Sequence, residues 1–242
     1  LDGDGNLDLV SANEFSQDLS VLLGDGTGSF GAKTDFPAGS APEYVTVADL
    51  DRDNNLDLIC ANYSSGRLSV FLGDGAGGFA IGTPFSVGTG PSCIVVADVN
   101  GDGSLDLVSS NFNSNDVSVL LGDGTGGFPV RTDFPVGEEP DSVAVADLNG
   151  DGNLDLVSAN VNSNNLSVLL GNGVGGFATK ADFAAGQGPR SVGVADLDGD
   201  GSLDLVSANV NSDNLSVLLG DGAGGFAVKT DFVAGDGPVS VA

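Results

Sequence analysis

A single step of 49 residues runs through the whole chain and constrains its fold more than any other feature. The acidic phrase LDGDGNLDL at Leu1 returns as ADLDRDNNLDL at Ala48, ADVNGDGSLDL at Ala97, ADLNGDGNLDL at Ala146 and ADLDGDGSLDL at Ala195. A glycine-rich phrase keeps the same step, its copies opening at Gly24, Gly73, Gly122, Gly171 and Gly220. Val145–Pro189 differs from Val194–Pro238 at only 9 of 45 positions. Units this alike must fold alike and pack on one another alike.

Turn-forming residues cut each unit into four short β candidates. In the fourth unit they read SVAVADL, LDLVSAN, LSVLLG and FATKADFAAG, separated by NGDGN, VNSNN and NGVGG. No segment carries a helical 3.6-residue period. Four short antiparallel strands in 40 to 50 residues describe a propeller blade. The expected fold is therefore all-β: one domain, residues 1–242, with repeats at 1–48, 49–97, 98–146, 147–195 and 196–242. Two phenylalanine registers, Phe30 to Phe226 and Phe36 to Phe232, fall on the fourth strand and read as packing between blades. Lys33, Arg131, Lys180 and Lys229 share another register there and read as charges that keep an outer edge from pairing with other chains.

Five units of 49 would need three residues more than the 242 present, and V-A-D is what is missing between Ala242 and Leu1. This predicts five four-stranded blades closed by strand sharing, GPVSVA at the end of the chain supplying the first strand of blade one. The rival expectation is part of a seven- or eight-bladed ring.

The acidic phrase predicts a metal loop. Numbered from its first Asp, the fourth copy places Asp147, Asn149, Asp151, Asn153 and Asp155 at positions 1, 3, 5, 7 and 9. Such a spacing can turn several hard oxygens inward, as Ca²⁺ requires. Gly152 at position 6 allows the left-handed turn that brings the later oxygens back. The equivalent sets are Asp49, Asp51, Asp53, Asn55 and Asp57; Asp98, Asn100, Asp102, Ser104 and Asp106; and Asp196, Asp198, Asp200, Ser202 and Asp204. The first copy keeps Asp2, Asp4, Asn6 and Asp8 but lacks position 1. Four complete calcium sites and a fifth partial one are expected. Without a cation, two unit charges at 4 Å repel by about 1 kcal/mol in water and about 4 at an effective dielectric of 20. Repeated in every blade, that penalty is hard to sustain against a stability of roughly 5 to 15 kcal/mol.

These loops resemble the D-x-[DN]-x-D-G-x-x-D loop of the FG-GAP or VCBS repeat family, found in integrin α-subunit propellers and many large secreted bacterial proteins. The companion phrase LSVLLGDGxGGF matches as well, and the resemblance covers the whole chain. It implies a calcium-binding β-propeller outside the cell, with the metal between the first and second strands of a blade. Arg52 and Asn54 depart from the pattern, standing where other copies have Gly, so the second site is expected to be weaker.

A net charge of −27, from 34 acidic and 7 basic residues, argues against nucleic-acid or anionic-membrane partners. No apolar run is long enough to insert in a membrane. His is absent, which excludes a His-based triad or His metal ligands. The G-x-G-x-x-G at Gly122 joins two strands, with no helix after it, and reads as a hairpin rather than a dinucleotide site. Asn62, Asn165 and Asn214 match the glycosylation sequon but sit where turn polars are common. Cys60 and Cys93 read as two buried free thiols. Residues that break the repeat, among them Glu14, Glu43, Tyr44, Glu138, Glu139 and Arg190, make no recognisable acid, base or nucleophile set. The expectation is a non-catalytic extracellular module for adhesion or self-assembly, its partner a protein, a glycan or copies of itself. The alternative is a carbohydrate-binding propeller.

Overall fold

The computed structural model describes residues 1–242 as five antiparallel sheets in sequence order. The first holds β1 (Leu9–Asn13), β2 (Asp18–Leu22) and β3 (Thr34–Pro37). The second holds β4 (Pro42–Ala48), β5 (Asp57–Asn62), β6 (Arg67–Phe71) and β7 (Thr83–Ser86). The third is β8 (Pro91–Ala97), β9 (Asp106–Asn111), β10 (Asp116–Leu121) and β11 (Val130–Pro135). The fourth is β12 (Pro140–Ala146), β13 (Asp155–Asn160), β14 (Asn165–Leu169) and β15 (Ala181–Ala184). The fifth is β16 (Pro189–Ala195), β17 (Asp204–Asn209), β18 (Asn214–Leu218) and β19 (Thr230–Val233). The only helical turn is a 3-10 turn at Tyr63–Ser65.

Neighbouring blades pack face to face, so the core is a series of slabs. One slab joins Ile59, Ala61, Leu68 and Val70 of the second blade to Ile94, Leu107 and Leu120 of the third. The next joins Val108, Val117 and Val119 to Val143, Leu156 and Leu169. Because side chains alternate along a strand, Leu156 faces the third blade while Val157 and Ala159 face the fifth. A strand buried on both faces must be apolar on both, which is why the second strands read as near-continuous apolar runs. Residues of β5, β9 and β13 are buried throughout.

The expected ring packing of phenylalanines is present. Phe36–Phe79, Phe85–Phe128, Phe134–Phe177 and Phe183–Phe226 meet edge to face with centroids 5.1–5.3 Å apart. Each pair clamps one blade to the next. The first Phe of each unit does not open the fourth strand, however. Phe177 makes an isolated bridge with Gly171, and the strand begins only at Ala181. Gly171 is needed there because an added Cβ would lie 2.1 Å from the Leu154 carbonyl oxygen.

The structure does not show closure by the chain's end. The first sheet has three strands, and β1 is partly exposed where its counterparts are buried. Residues 237–242 instead follow β16: the Val241 amide donates to Ser191 Oγ at 3.3 Å. Cys93 and Val143 stand in the same 50-residue relation between β8 and β12. The end of the chain thus lies where a sixth blade's first strand would lie.

The basic register is ion-paired rather than free. Lys33, Arg131, Lys180 and Lys229 bind Asp35, Asp133, Asp182 and Asp231, two residues on in the fourth strand. Those carboxylates also accept from Ser20, Ser118, Ser167 and Ser216 at 2.6–2.7 Å. Each serine in turn accepts from an Asn side chain of the second strand, as in Asn160 Nδ2 to Ser167 Oγ at 2.9 Å. A polar chain therefore crosses three strands of these blades. The second blade has lost it: Gly82 and Pro84 stand in the Lys and Asp registers. There Ser69 donates to the Ala38 carbonyl, and Phe71, a Leu in the other copies, fills the space beside Gly82.

Candidate metal centre

The acidic loops join the first and second strands of their blades, and their backbone explains the glycines. Positions 4 and 6 are left-handed in every copy, for example Gly150 at φ 71° and Gly152 at 87°. Arg52 (63°) and Asn54 (69°) hold the same conformation without the freedom of Gly, at a cost of about 1 kcal/mol for the Arg. The substitutions change the residues and keep the loop shape.

Position 9 is the anchor. Asp57, Asp106, Asp155 and Asp204 are buried, and each of their oxygens takes one backbone N–H. One oxygen accepts from position 2, at 2.7–2.9 Å from Leu50, Val99, Leu148 and Leu197. The other accepts from the glycine 16 residues on, at 2.7–2.9 Å from Gly73, Gly122, Gly171 and Gly220. The carboxylate ties the acidic loop to the glycine-rich hairpin and still has a free lone pair on each oxygen. Burial pushes the carboxyls of Asp57, Asp106 and Asp155 up, against the pull of these N–H donors. In the first blade, Asp8 accepts in the same way from Gly24 at 2.8 Å and from the backbone nitrogen of Leu1, its position 2.

Position 1 folds back over the loop. Asp98 accepts from Gly101 and Gly103, each at 2.8 Å, and Asp196 from Gly199 at 2.7 Å and Gly201 at 3.0 Å. Asp147 accepts from Asp151 at 3.1 Å and Gly152 at 2.9 Å. Position 5 receives the amide of position 7, as from Ser104 to Asp102 at 2.7 Å. Position 3 divides the loops. Asn100 and Asn149 donate to Asp102 and Asp151 at 2.9 and 3.0 Å. In the second and fifth loops Asp51 and Asp198 replace those amides, and carboxylates converge. Ligand atoms of Asp49, Asp51 and Asp53, and of Asp196, Asp198 and Asp204, lie within 4.8 Å of one another. Asp200 of the fifth loop and Asp57 of the second lie outside these two groups, as do Asp2 and Asp4 of the first loop.

The second loop has the donor set that a cation would need. Asp49 Oδ2 accepts from the Asn54 amide at 3.0 Å, while its Oδ1 is buried with no hydrogen-bond partner. A buried unpaired carboxylate oxygen is costly. Burial raises the Asp51 carboxyl, and the charges of Asp53 and Asp49 raise it further. A hard divalent ion would relieve both, with oxygens from Asp49, Asp51 and Asp53 at positions 1, 3 and 5.

Three-dimensional packing adds features that the repeat conceals. Glu43, Ser92, Asp141 and Arg190 occupy one register of the first strands, and Arg190 reaches Asp141 at 3.5 Å. Glu43 is pushed up by burial and then by Asp141 and Glu14. Asn62 is buried and lies beyond the reach of a glycosylating enzyme in the folded chain. Asn165 and Asn214 are half-buried, their side-chain oxygens accepting from Asn160 and Asn209. Cys60 is a free buried thiol, pushed up to about 12 by burial; Cys93 is also free and half-buried.

The family comparison agrees with this geometry. A family of FG-GAP-like repeats matches residues 1–60, 49–109, 98–158 and 147–207. The chain belongs to the FG-GAP-like repeat family. No curated protein matches it in sequence. Similar solved structures include a Pseudomonas aeruginosa periplasmic gluconolactonase, at TM-score 0.72 and 18% identity over 98% of this chain and 70% of that one. An Agrocybe aegerita lectin that recognises terminal N-acetylglucosamine gives 0.61 and 20% over 94% and 66%. The Vibrio cholerae biofilm matrix protein Bap1 gives 0.60 and 20% over 97% and 38%. The FG-GAP-like chain thus spans just under two thirds of the lectin and well under half of the matrix protein. At these identities the likeness is one of fold.

Proposed function

We propose that this chain is a non-catalytic, calcium-stiffened propeller module that acts outside the cell and joins further copies of itself into an adhesive or surface-forming assembly. The observation that carries the reading is a pair of unfinished blade faces. Four ring pairs clamp the five blades, leaving Phe30 and Phe232, the members of a fifth pair, 40% and 53% exposed. Leu9 is exposed as well, whereas its counterparts Leu58, Leu107, Leu156 and Leu205 are buried. One face is built as the front of a blade and the other as the back, so they complement each other and suit head-to-tail joining. No helix of the structure is long and apolar enough to cross a membrane. Calcium in the acidic loops would hold each blade's first and second strands together and fix the angle at which the next blade meets it.

Light scattering coupled to size exclusion tests the reading. With calcium, the chain should form species larger than one chain, and Phe232→Ser should return it to the monomer. A wild-type chain that stays monomeric at high micromolar concentration, with and without calcium, would overturn assembly.

A second reading, sugar binding, is favoured by one notch between the third and fourth blades. Phe112 offers an apolar ring there, and Asn113, Asn115, Glu138, Glu139 and Asn162 offer hydroxyl-binding groups. Glu139 is left-handed at φ 57°, where three other copies carry Gly. Binding on a glycan array that Phe112→Ala abolishes would favour the sugar-binding module.

A further inference from the structure

The second blade's Arg52 reaches out of its own loop and into the next one. Its Nη2 donates to Ser104 Oγ at 3.0 Å, across 52 residues of sequence. Ser104 is position 7 of the third loop. In the second and fourth units that position is Asn, and its side chain covers the glycine-rich turn: a Cβ on Gly75 or Gly173 would meet Asn55 or Asn153 Oδ1 at 2.2 Å. Over Gly124 the cover is Arg52 instead, its Cζ and Nη1 at 3.2 and 3.3 Å from the same hypothetical Cβ. A large residue on one blade thus fills what a small residue on the next leaves open. The fifth unit also has Ser at position 7, but the residue preceding it by one blade is Gly150, and no arginine covers that loop.

Arg52 forms no ion pair of its own among the salt bridges of the molecule, in a chain with 34 acidic and 7 basic residues. Its charge falls on the third loop: Nη2 is bonded to Ser104 and lies 3.5 Å from where a Cβ on Gly103 would stand. The third loop has Asn100 at position 3, so it holds three acids against the four of the second and fifth loops.

Resting on the calcium reading above, we infer that Arg52 is a tethered counter-ion for the third loop, keeping it closed without metal and making it the weakest of the complete calcium sites. A unit positive charge a few ångströms from a divalent ion, in a solvent-exposed loop, weakens binding by about tenfold. The arginine is carried at position 4 of the second loop, so closure of that loop around its own ion would fix the guanidinium over its neighbour. The two loops are thereby coupled, filling of the second opposing filling of the third.

Calcium calorimetry and thermal melts in chelator, on the wild-type chain, Arg52→Gly and Arg52→Lys, test this. In Arg52→Gly the weakest binding step should tighten about tenfold and the chelated chain should melt lower, while Arg52→Lys should keep the weak step. Replacing Arg52 also relieves its own loop, so the comparison is repeated in Asp102→Asn, which cripples the third loop; there Arg52→Gly should no longer move the weakest step. An isotherm unchanged by Arg52→Gly, or a change that persists in Asp102→Asn, overturns the inference. A wild-type chain that binds no calcium overturns the calcium reading itself.

Discussion

Asp155 and Asp49 lie in equivalent loops and should respond in opposite ways to mutation. Asp155 is buried and holds two backbone amides, so Asp155→Ala strands both donors. Two unsatisfied buried donors cost about 1 to 3 kcal/mol each. Denaturant unfolding in chelator should show a loss of about 3 kcal/mol. Asp49 has one oxygen with no partner and two acidic neighbours. Asp49→Asn should be neutral or stabilising by about 1 kcal/mol in chelator, by relief of repulsion, and destabilising in calcium. Sequence spacing grouped these residues as equal ligands. It could not separate a carboxylate that anchors from one that awaits a cation, because that distinction lies in the amides of Leu148 and Gly171, one of them 16 residues away. The constant interval from Asp8 to Gly24 and from Asp155 to Gly171 was the available signal. Arg52 was legible as a departure, but its partner Ser104 was not, since nothing local connects one blade's loop to the next.

At the scale of the strand and hairpin, the period of the sequence carried most of the information. Strands two and three fall where the apolar runs place them, and the left-handed glycines mark their turns. The sequence makes the fourth strand too long, because Phe177 reads as its first residue. Its ring belongs to the interface with Phe134, and its backbone belongs to the Gly171 hairpin. That hairpin has no room to spare. Gly171→Ala would drive a Cβ to 2.1 Å from the Leu154 oxygen, and a melt should show destabilisation of about 2 to 4 kcal/mol. Gly199→Ala meets no atom within 4 Å but is left-handed at φ 80°, so its cost should be nearer 1 kcal/mol. The Asn–Ser–Asp chain across four of the blades was not legible, because its members are common turn and surface residues. Only the pairing of three strands shows them to be one connected network.

For the whole molecule, the all-β propeller followed from repetition, while its closure did not. Counting residues made the two ends of the chain appear to share a blade. In the structure the last residues continue past β16 at the one-blade step instead. Curvature is set by how each blade packs on the next, a property of the Phe pairs and the apolar slabs rather than of chain length. What stiffens that packing, in this account, is a divalent ion in the acidic loops. The most direct measurement is calorimetric titration of the metal-free chain with Ca²⁺. The account predicts at least four ions bound per chain at millimolar calcium, accompanied by a rise in melting temperature. A titration without binding heat, and a melting temperature unmoved by millimolar calcium, would contradict it.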